Sequence, residues 1–211
     1  MTIVGVILAG GQSRRMGGGD KFLREICGKR MLDHVLARLG PQVDQLILSA
    51  NGNEESLRSC ALPIVEDGGY AGCGPLAGIL AALRWGEARF GGDTVLSSVP
   101  ADTPYIPFDL ATRLIGPLAR NADAAIASSR GRSHYATAAW PVRISAAMEN
   151  WLQRGRTFAV RDFLRFRGVT TVDFSDAPHD PFFNVNEPLD LEEAQIVGGQ
   201  PRRVAGANTG W

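Results

Sequence analysis

Apolar positions along this chain alternate between two rhythms. Short β-branched runs at Ile3–Leu8, Gln45–Ser49, Pro63–Val65, Thr94–Val99, Ala124–Ala127, Ala136–Trp140 and Thr170–Asp173 read as buried strands. Between them the spacing turns helical. Met31, Val35 and Leu39 share one face, as do Leu76, Ile79, Leu80 and Leu83, then Leu110, Leu114 and Leu118, then Ile144, Met148 and Leu152. Strand–helix alternation predicts a three-layer, Rossmann-like α/β fold, a mainly parallel sheet with helices on both faces. No repeat or linker interrupts residues 1–196, which read as a single domain. Residues 197–211 have no apolar period and read as a flexible tail.

Composition narrows the function classes. The 211 residues are 45% hydrophobic and 21% charged, enough to bury a core. Twenty-two basic residues balance 22 acidic ones, so nucleic acid, which selects for a basic excess, is not an expected partner. Cys27, Cys60 and Cys73 form no Cys-x-x-Cys pair and predict neither a disulfide framework nor a zinc site. Met1-Thr2 leads straight into a strand pattern, and no apolar run approaches the roughly 20 residues that span a bilayer. A cytoplasmic protein without a membrane partner is the expectation.

The first strand runs into Leu8-Ala9-Gly10-Gly11-Gln12-Ser13-Arg14-Arg15-Met16-Gly17-Gly18-Gly19-Asp20-Lys21, a loop with five glycines, two arginines and a lysine. Glycines let backbone N–H groups turn toward an anion, and the cations supply charge. The spacing matches neither common phosphate motif. Lys21 is followed by Phe22 rather than the hydroxyl residue of a Walker A loop, and the Gly-x-Gly-x-x-Gly of dinucleotide folds is missing. What remains is a long loop suited to a free nucleoside triphosphate. Lys21 and Arg15 would neutralise its outer phosphates and stabilise departing pyrophosphate; the alternative is an ordinary solvated loop.

In open parallel sheets, ligands bind outside the carboxyl ends of the strands. Asn51 follows Gln45–Ser49, Asp67 follows Pro63–Val65, and Asp102 follows Thr94–Val99. Asp102, between Pro100 and Pro104, is either a ligand for Mg²⁺ bound to phosphates or the N-cap of the next helix. Asp67 is either a turn residue before Gly68 or a partner for the paired N–H donors of guanine. Gly74-Pro75-Leu76-Ala77-Gly78 opens a helix whose free N–H groups suit an anion, and Gly78 would let a base or ribose approach the backbone. Asn186 reads as an N-cap, whereas Asn184 has no such explanation. His34 reads as structural and His179 as solvated.

The loop resembles the signature of the molybdenum cofactor guanylyltransferases, the MobA-like family. Gly74–Gly78, Asp102-Thr103-Pro104-Tyr105-Ile106-Pro107 and Asn184-Val185-Asn186 follow in the family's order, so the resemblance covers roughly residues 3–196. It implies a nucleotide-diphospho-sugar transferase type of fold, with an N-terminal half for GTP and a C-terminal half mainly for molybdopterin. It implies transfer of GMP from GTP to molybdenum-loaded molybdopterin with Mg²⁺ as cofactor. Implied catalytic residues are Lys21, Arg15 and Asp102. Implied GTP contacts are Leu8, Ala9, Gly10, Gly11, Lys21, Asn51, Asp67, Gly74, Gly78 and Asp102, with Asp102 on the metal. Asn184, Asn186 and His134 are candidate substrate contacts. His134 stands where the family commonly has His-Pro-Thr, and the following Tyr135-Ala136 departs from that pattern. Transient contacts with proteins that deliver molybdopterin and mature molybdoenzymes are further expectations. The alternatives are transfer of CMP to molybdopterin, transfer to a sugar phosphate, and a non-catalytic carrier of the cofactor.

Overall fold

The computed structural model describes residues 1–10, 21–52, 60–155 and 157–199. Ile3–Leu8 forms β1, and a two-residue hairpin follows, β2 (Glu25–Ile26) with β3 (Lys29–Arg30). Helix α1 (Met31–Leu39), β4 (Gln45–Ser49) and β5 (Ile64–Val65) come next, then the long α2 (Pro75–Phe90) and β6 (Val95–Pro100). The second half holds α3 (Leu110–Ile115), β7 (Ala124–Ser129), β8 (Arg132–Pro141), α4 (Ser145–Arg154), α5 (Val160–Leu164), β9 (Val169–Asp173) and α6 (Pro188–Gly199).

The main sheet has seven strands in the order β5-β4-β1-β6-β8-β7-β9. Neighbours pair in parallel except at β8, which runs against both β6 and β7. From β1 the chain winds outward through β4 to β5, then returns to the other side of β1 as β6. The strand order therefore reverses between β1 and β6, the kind of switch point at which open α/β sheets form a binding crevice outside the carboxyl ends of the strands.

Alternation along β1 shows how the sheet divides the core. Val4 and Val6 join Leu76, Ile79, Leu80, Leu83, Met148 and Phe163 under α2, α4 and α5. Ile7 points the other way, into Leu32, Val35, Leu39, Leu110, Leu114 and Phe182. Every helical stripe read from the sequence is thus a buried face, and each fully buried Leu or Ile contributes about 1.5–3 kcal/mol. A third, smaller cluster, Ile26, Met31, Tyr105, Val185 and Ala194, seats α6 on the hairpin.

Three elements differ from the sequence expectation. The Leu110–Leu118 stripe is an α-helix only to Ile115. Pro117 lacks the N–H to continue it, and Gly116–Arg120 tightens to a 3-10 turn that still buries Leu118. Strand β8 begins at Arg132, before its apolar half, because Arg130 and Gly131 at positive φ (52° and 70°) close a hairpin that pairs its polar start with β7. Helix α6 runs to Gly199, past the expected start of the tail at 197. A side chain at Gly198 would stand 2.8 Å from the Tyr105 hydroxyl and 3.1 Å from Cys27 Sγ, so a small residue there permits close packing that an apolar-period test misses. The three cysteines are free thiols. No helix among the described residues is long and apolar enough to cross a membrane.

Candidate active site

The crevice is built first by backbone. Ala9 N–H donates to Ser49 O at 2.8 Å and Ala101 N–H to Leu8 O at 3.0 Å, extending the ladder on both sides of the end of β1. Leu8 and Ala9 are pinned in this way, while Gly10 leaves the sheet exposed, with open space where a Cβ would be. Gly11 and Arg15 lie outside the described residues.

Lys21 stands at the far end of the loop, in a 3-10 turn anchored by buried Phe22. Its ammonium donates to Asp102 Oδ2 at 2.8 Å and to Asn186 Oδ1 at 2.6 Å. Asp102 is no N-cap: the next helix starts at Leu110, with Asp109 at its N-cap position. Its main chain is locked to the last loop, since Val185 N–H donates to Asp102 O at 2.9 Å. Its Oδ1 is buried without a hydrogen-bond partner among the described residues. A carboxylate with one engaged and one orphaned oxygen, beside an amide oxygen, is a donor set for a hard cation.

In Asn184-Val185-Asn186, which belongs to no helix or strand, Val185 is buried and both asparagines are exposed. Asn184 Oδ1 accepts from the hydroxyl of buried Thr103 at 3.1 Å. Asn186 does not cap α6 with its side chain, which Lys21 engages. Asp190 Oδ2 instead accepts from the N–H groups of Asn186 (2.7 Å) and Glu187 (2.8 Å), reaching back as the acid of a capping box does.

Across the crevice, Asn51 and Asp67 form a reciprocal pair. Asn51 Nδ2 donates to Asp67 Oδ2 at 2.5 Å, and Asp67 N–H donates to Asn51 Oδ1 at 3.0 Å. Burial pushes the Asp67 carboxyl above its ordinary pKa, and the Asn51 hydrogen bond partly opposes that. Gly74 enters α2 at φ +68°, a conformation that favours glycine, with Pro75 at the first helical position. The bare Cα of Gly78 faces protein. A Cβ there would lie 2.2 Å from Ser49 Oγ and 3.4 Å from Asp67 Oδ1, so its bareness brings the first turn of α2 against β4 and the Asp67 carboxylate. The adjoining turn is tethered by Tyr70, whose hydroxyl donates to Glu149 Oε1 at 3.2 Å while Arg84 pairs with the same oxygen.

The histidines separate cleanly. His34 Nε2 meets Ile26 O at 2.8 Å and is structural. His179 is not simply solvated: its ring packs edge-on to Tyr105 at 5.4 Å and its Nδ1 is buried. His134 sits on the polar start of β8. That strand is antiparallel, so its beginning lies at the carboxyl ends of its neighbours, on the side of Asp102.

A model of the MobA-like NTP transferase domain matches residues 5–171, a span that runs from β1 into β9 and includes Lys21, Asn51, Asp67 and Asp102. The chain belongs to the MobA-like NTP transferases. It is 44% identical over 190 residues to the molybdenum cofactor guanylyltransferase of Acidiphilium cryptum, covering 90% of this chain and 92% of that one. It is 40% identical over 205 residues to that of a Bradyrhizobium strain, covering 97% of both. The crystal structure of molybdopterin-guanine dinucleotide biosynthesis protein A from Archaeoglobus fulgidus superposes with a TM-score of 0.74 at 23% identity, over 93% of this chain and 98% of that one. A Mycobacterium tuberculosis protein crystallised with manganese shares the fold at a TM-score of 0.63 and 18% identity, over 93% of this chain and 99% of that one.

In this NTP transferase Lys21, Asp102 and Asn186 converge, and Asn51 joins Asp67; the sequence had offered each of them as a separate candidate contact. Missed were Thr103 behind Asn184, Asp190 behind Asn186 and Glu149 behind Tyr70. Glu187-x-x-Asp190 carried a signal, an acid at the third helical position. The other two contacts had none, since each joins segments about 80 residues apart (81 and 79). No cluster of three His, Cys, Asp or Glu side chains suited to a metal occurs among the described residues.

Proposed function

We propose that this chain transfers GMP from GTP to the phosphate of molybdenum-loaded molybdopterin, releasing pyrophosphate and forming a pterin guanine dinucleotide. The observation that carries the reading is the Lys21 ammonium held between Asp102 and Asn186 at the strand-order reversal, in a chain over 40% identical to named guanylyltransferases. The acceptor phosphate is already ionised at neutral pH, so no general base is required. An oxygen of that phosphate forms a bond to the α-phosphorus of GTP as the bond to pyrophosphate breaks. Lys21, with Arg15, compensates charge on the leaving pyrophosphate, and the loop after β1 positions it. Asp102, with Asn186 beside it, would hold a divalent cation, Mg²⁺ in this reading, which offsets repulsion between phosphates when bound. The orphaned Oδ1 of Asp102 supports that fit. The Asp67 carboxylate, fixed by Asn51, accepts from the donor edge of guanine. The cytoplasm as its place, and brief encounters with proteins that supply molybdopterin and accept the dinucleotide, belong to the same proposal.

The test incubates the protein with Mg²⁺, molybdenum-loaded molybdopterin and GTP, ATP or CTP in parallel, reading pyrophosphate and dinucleotide. Product with GTP alone is expected. Product mainly with CTP overturns the base assignment. No product, with the pterin still bound, favours a carrier.

A further inference from the structure

One buried polar cluster stands apart from the phosphate machinery. Ser129, at the end of β7, is fully buried. Its Oγ lies 2.8 Å from His134 Nε2 and 2.8 Å from Asp180 Oδ1. The same Asp180 oxygen accepts the Phe182 N–H at 3.0 Å. The Phe182 ring lies against the His134 ring, centroids 4.6 Å apart, and holds it in orientation.

The order of these groups rules out a nucleophilic triad, because the carboxylate meets the serine and not the imidazole. Their proton count is informative instead. A serine hydroxyl has one proton, and an ionised carboxylate only accepts. The Ser129 proton therefore points at Asp180, and the imidazole must donate from Nε2 into Ser129 Oγ. Burial lowers the His134 pKa, with Asp180 opposing and Arg132 adding to the shift, and so favours the neutral ring. A neutral imidazole protonated at Nε2 presents a bare lone pair at Nδ1. Nδ1 has no hydrogen-bond partner among the described residues, and it is not among the buried unsatisfied atoms.

We propose that Ser129 and Asp180 are positioning residues that fix the tautomer of His134, so that Nδ1 accepts a hydrogen bond from a ring N–H or amino group of the acceptor's pterin. This rests on the proposed transfer to molybdopterin and names the atom that grips the heterocycle. The placement suits such a ligand. From Phe182, against the His134 ring, to Val185, bonded to the Asp102 backbone, is three residues, at most about 10 Å of extended chain. A reduced pterin joined by a short linker to a phosphate spans a comparable length, with its phosphate beside Lys21 and Asp102. Neither triphosphate nor metal chemistry uses Ser129, His134 or Asp180.

Two replacements of His134 separate gripping from packing. The glutamine amide reaches the place of Nε2, so His134→Gln keeps a partner for Ser129 but loses the group at Nδ1. The asparagine amide reaches the place of Nδ1, so His134→Asn does the reverse. Binding of metal-free molybdopterin to the full chain, measured by equilibrium dialysis, should weaken about tenfold or more in His134→Gln and about threefold or less in His134→Asn. The opposite ranking, equal effects, or no binding by the unaltered protein overturns the proposal. Nitrogen-15 spectra of histidine-labelled protein, with His134 assigned by its variants, should show Nε2–H in the unaltered chain and loss of that tautomer's dominance in Ser129→Ala. An Nδ1–H tautomer in the unaltered chain overturns it as well. If binding follows the expected ranking but GTP yields no dinucleotide, the transfer reading fails and the His134 site stands.

Discussion

The ammonium of Lys21 lies 2.8 Å from Oδ2 of Asp102, joining residues 81 positions apart across the crevice between β1 and β6. Both side chains are largely shielded, 17% and 24% exposed, and Asn186 adds its amide oxygen to the same ammonium. One positive group from the glycine-rich loop thus draws together the end of β6 and the loop before α6.

If Asp102 acts as proposed, it should be dispensable for folding and indispensable for turnover. Its fold contact is the backbone carbonyl that accepts from Val185, which substitution leaves in place. Asp102→Asn should lower kcat by about 10³-fold or more. Its melting temperature should stay within about 4 °C of the unaltered protein. Pyrophosphate release and a thermal melt measure the two; near-normal turnover would remove Asp102 from the chemistry.

Lys21→Met keeps the aliphatic stem and deletes the charge. Loss of one preorganised donor should reduce kcat by about 10²–10³-fold. If Lys21 acts on the leaving pyrophosphate, the effect falls on kcat more than on the KM of the pterin. Steady-state kinetics with each substrate varied decides this, and an effect confined to the KM of the pterin would place Lys21 on the acceptor instead.

Gly78→Ala tests the approach of α2 to β4. The added methyl would lie 2.2 Å from Ser49 Oγ and 3.3 Å from Ser49 Cβ. Overpacking of this kind costs about 1–3 kcal/mol, against which the helix preference of alanine returns about 1 kcal/mol. A net loss in urea denaturation is expected, with partial recovery in the Ser49→Ala background. Failure of Ser49→Ala to relieve it would mean that the clash lies elsewhere.

Asp67 should show its burial in pH dependence. Its pKa in the folded protein is raised by burial, so the native state holds this proton more tightly than the unfolded chain does. Stability from this group therefore falls as pH rises from the unfolded pKa through the raised folded one, and Asp67→Asn removes that fall. In the proposed reading, the ionised form is the one that accepts from guanine. GTP affinity should consequently drop as pH is lowered through the folded pKa, while ATP affinity shows no such step. Titration calorimetry across that range measures it; parallel GTP and ATP profiles, or unchanged base preference in Asp67→Asn, would refute the assignment.

The strands and helices were legible in the order of the residues because burial is written locally. Alternation in β1 and the Leu76–Leu83 stripe each report one face at a time, and the glycine-rich loop after a buried strand raised the expectation of a phosphate site from composition alone. Asp102 could be singled out but not resolved, since Asp-x-Pro serves helix caps and metal ligands equally; only the start of the next helix at Leu110 removed the first reading. The polar beginning of β8 and the end of α6 escaped because cross-strand pairing and a bare Gly198, not apolar period, hold them.

By itself, the sequence determined which segments are buried, where the glycine-rich loop lies and which residue types stand at the strand ends. The tertiary structure alone decided that Asn186 meets Lys21, that Gly78 faces Ser49, and that Ser129 and Asp180 converge on His134. The reason is physical. Periodicity records a free energy summed over neighbours a few residues apart. A hydrogen bond between groups 165 residues apart, as between Lys21 and Asn186, exists only once strand order and register have brought them to one edge.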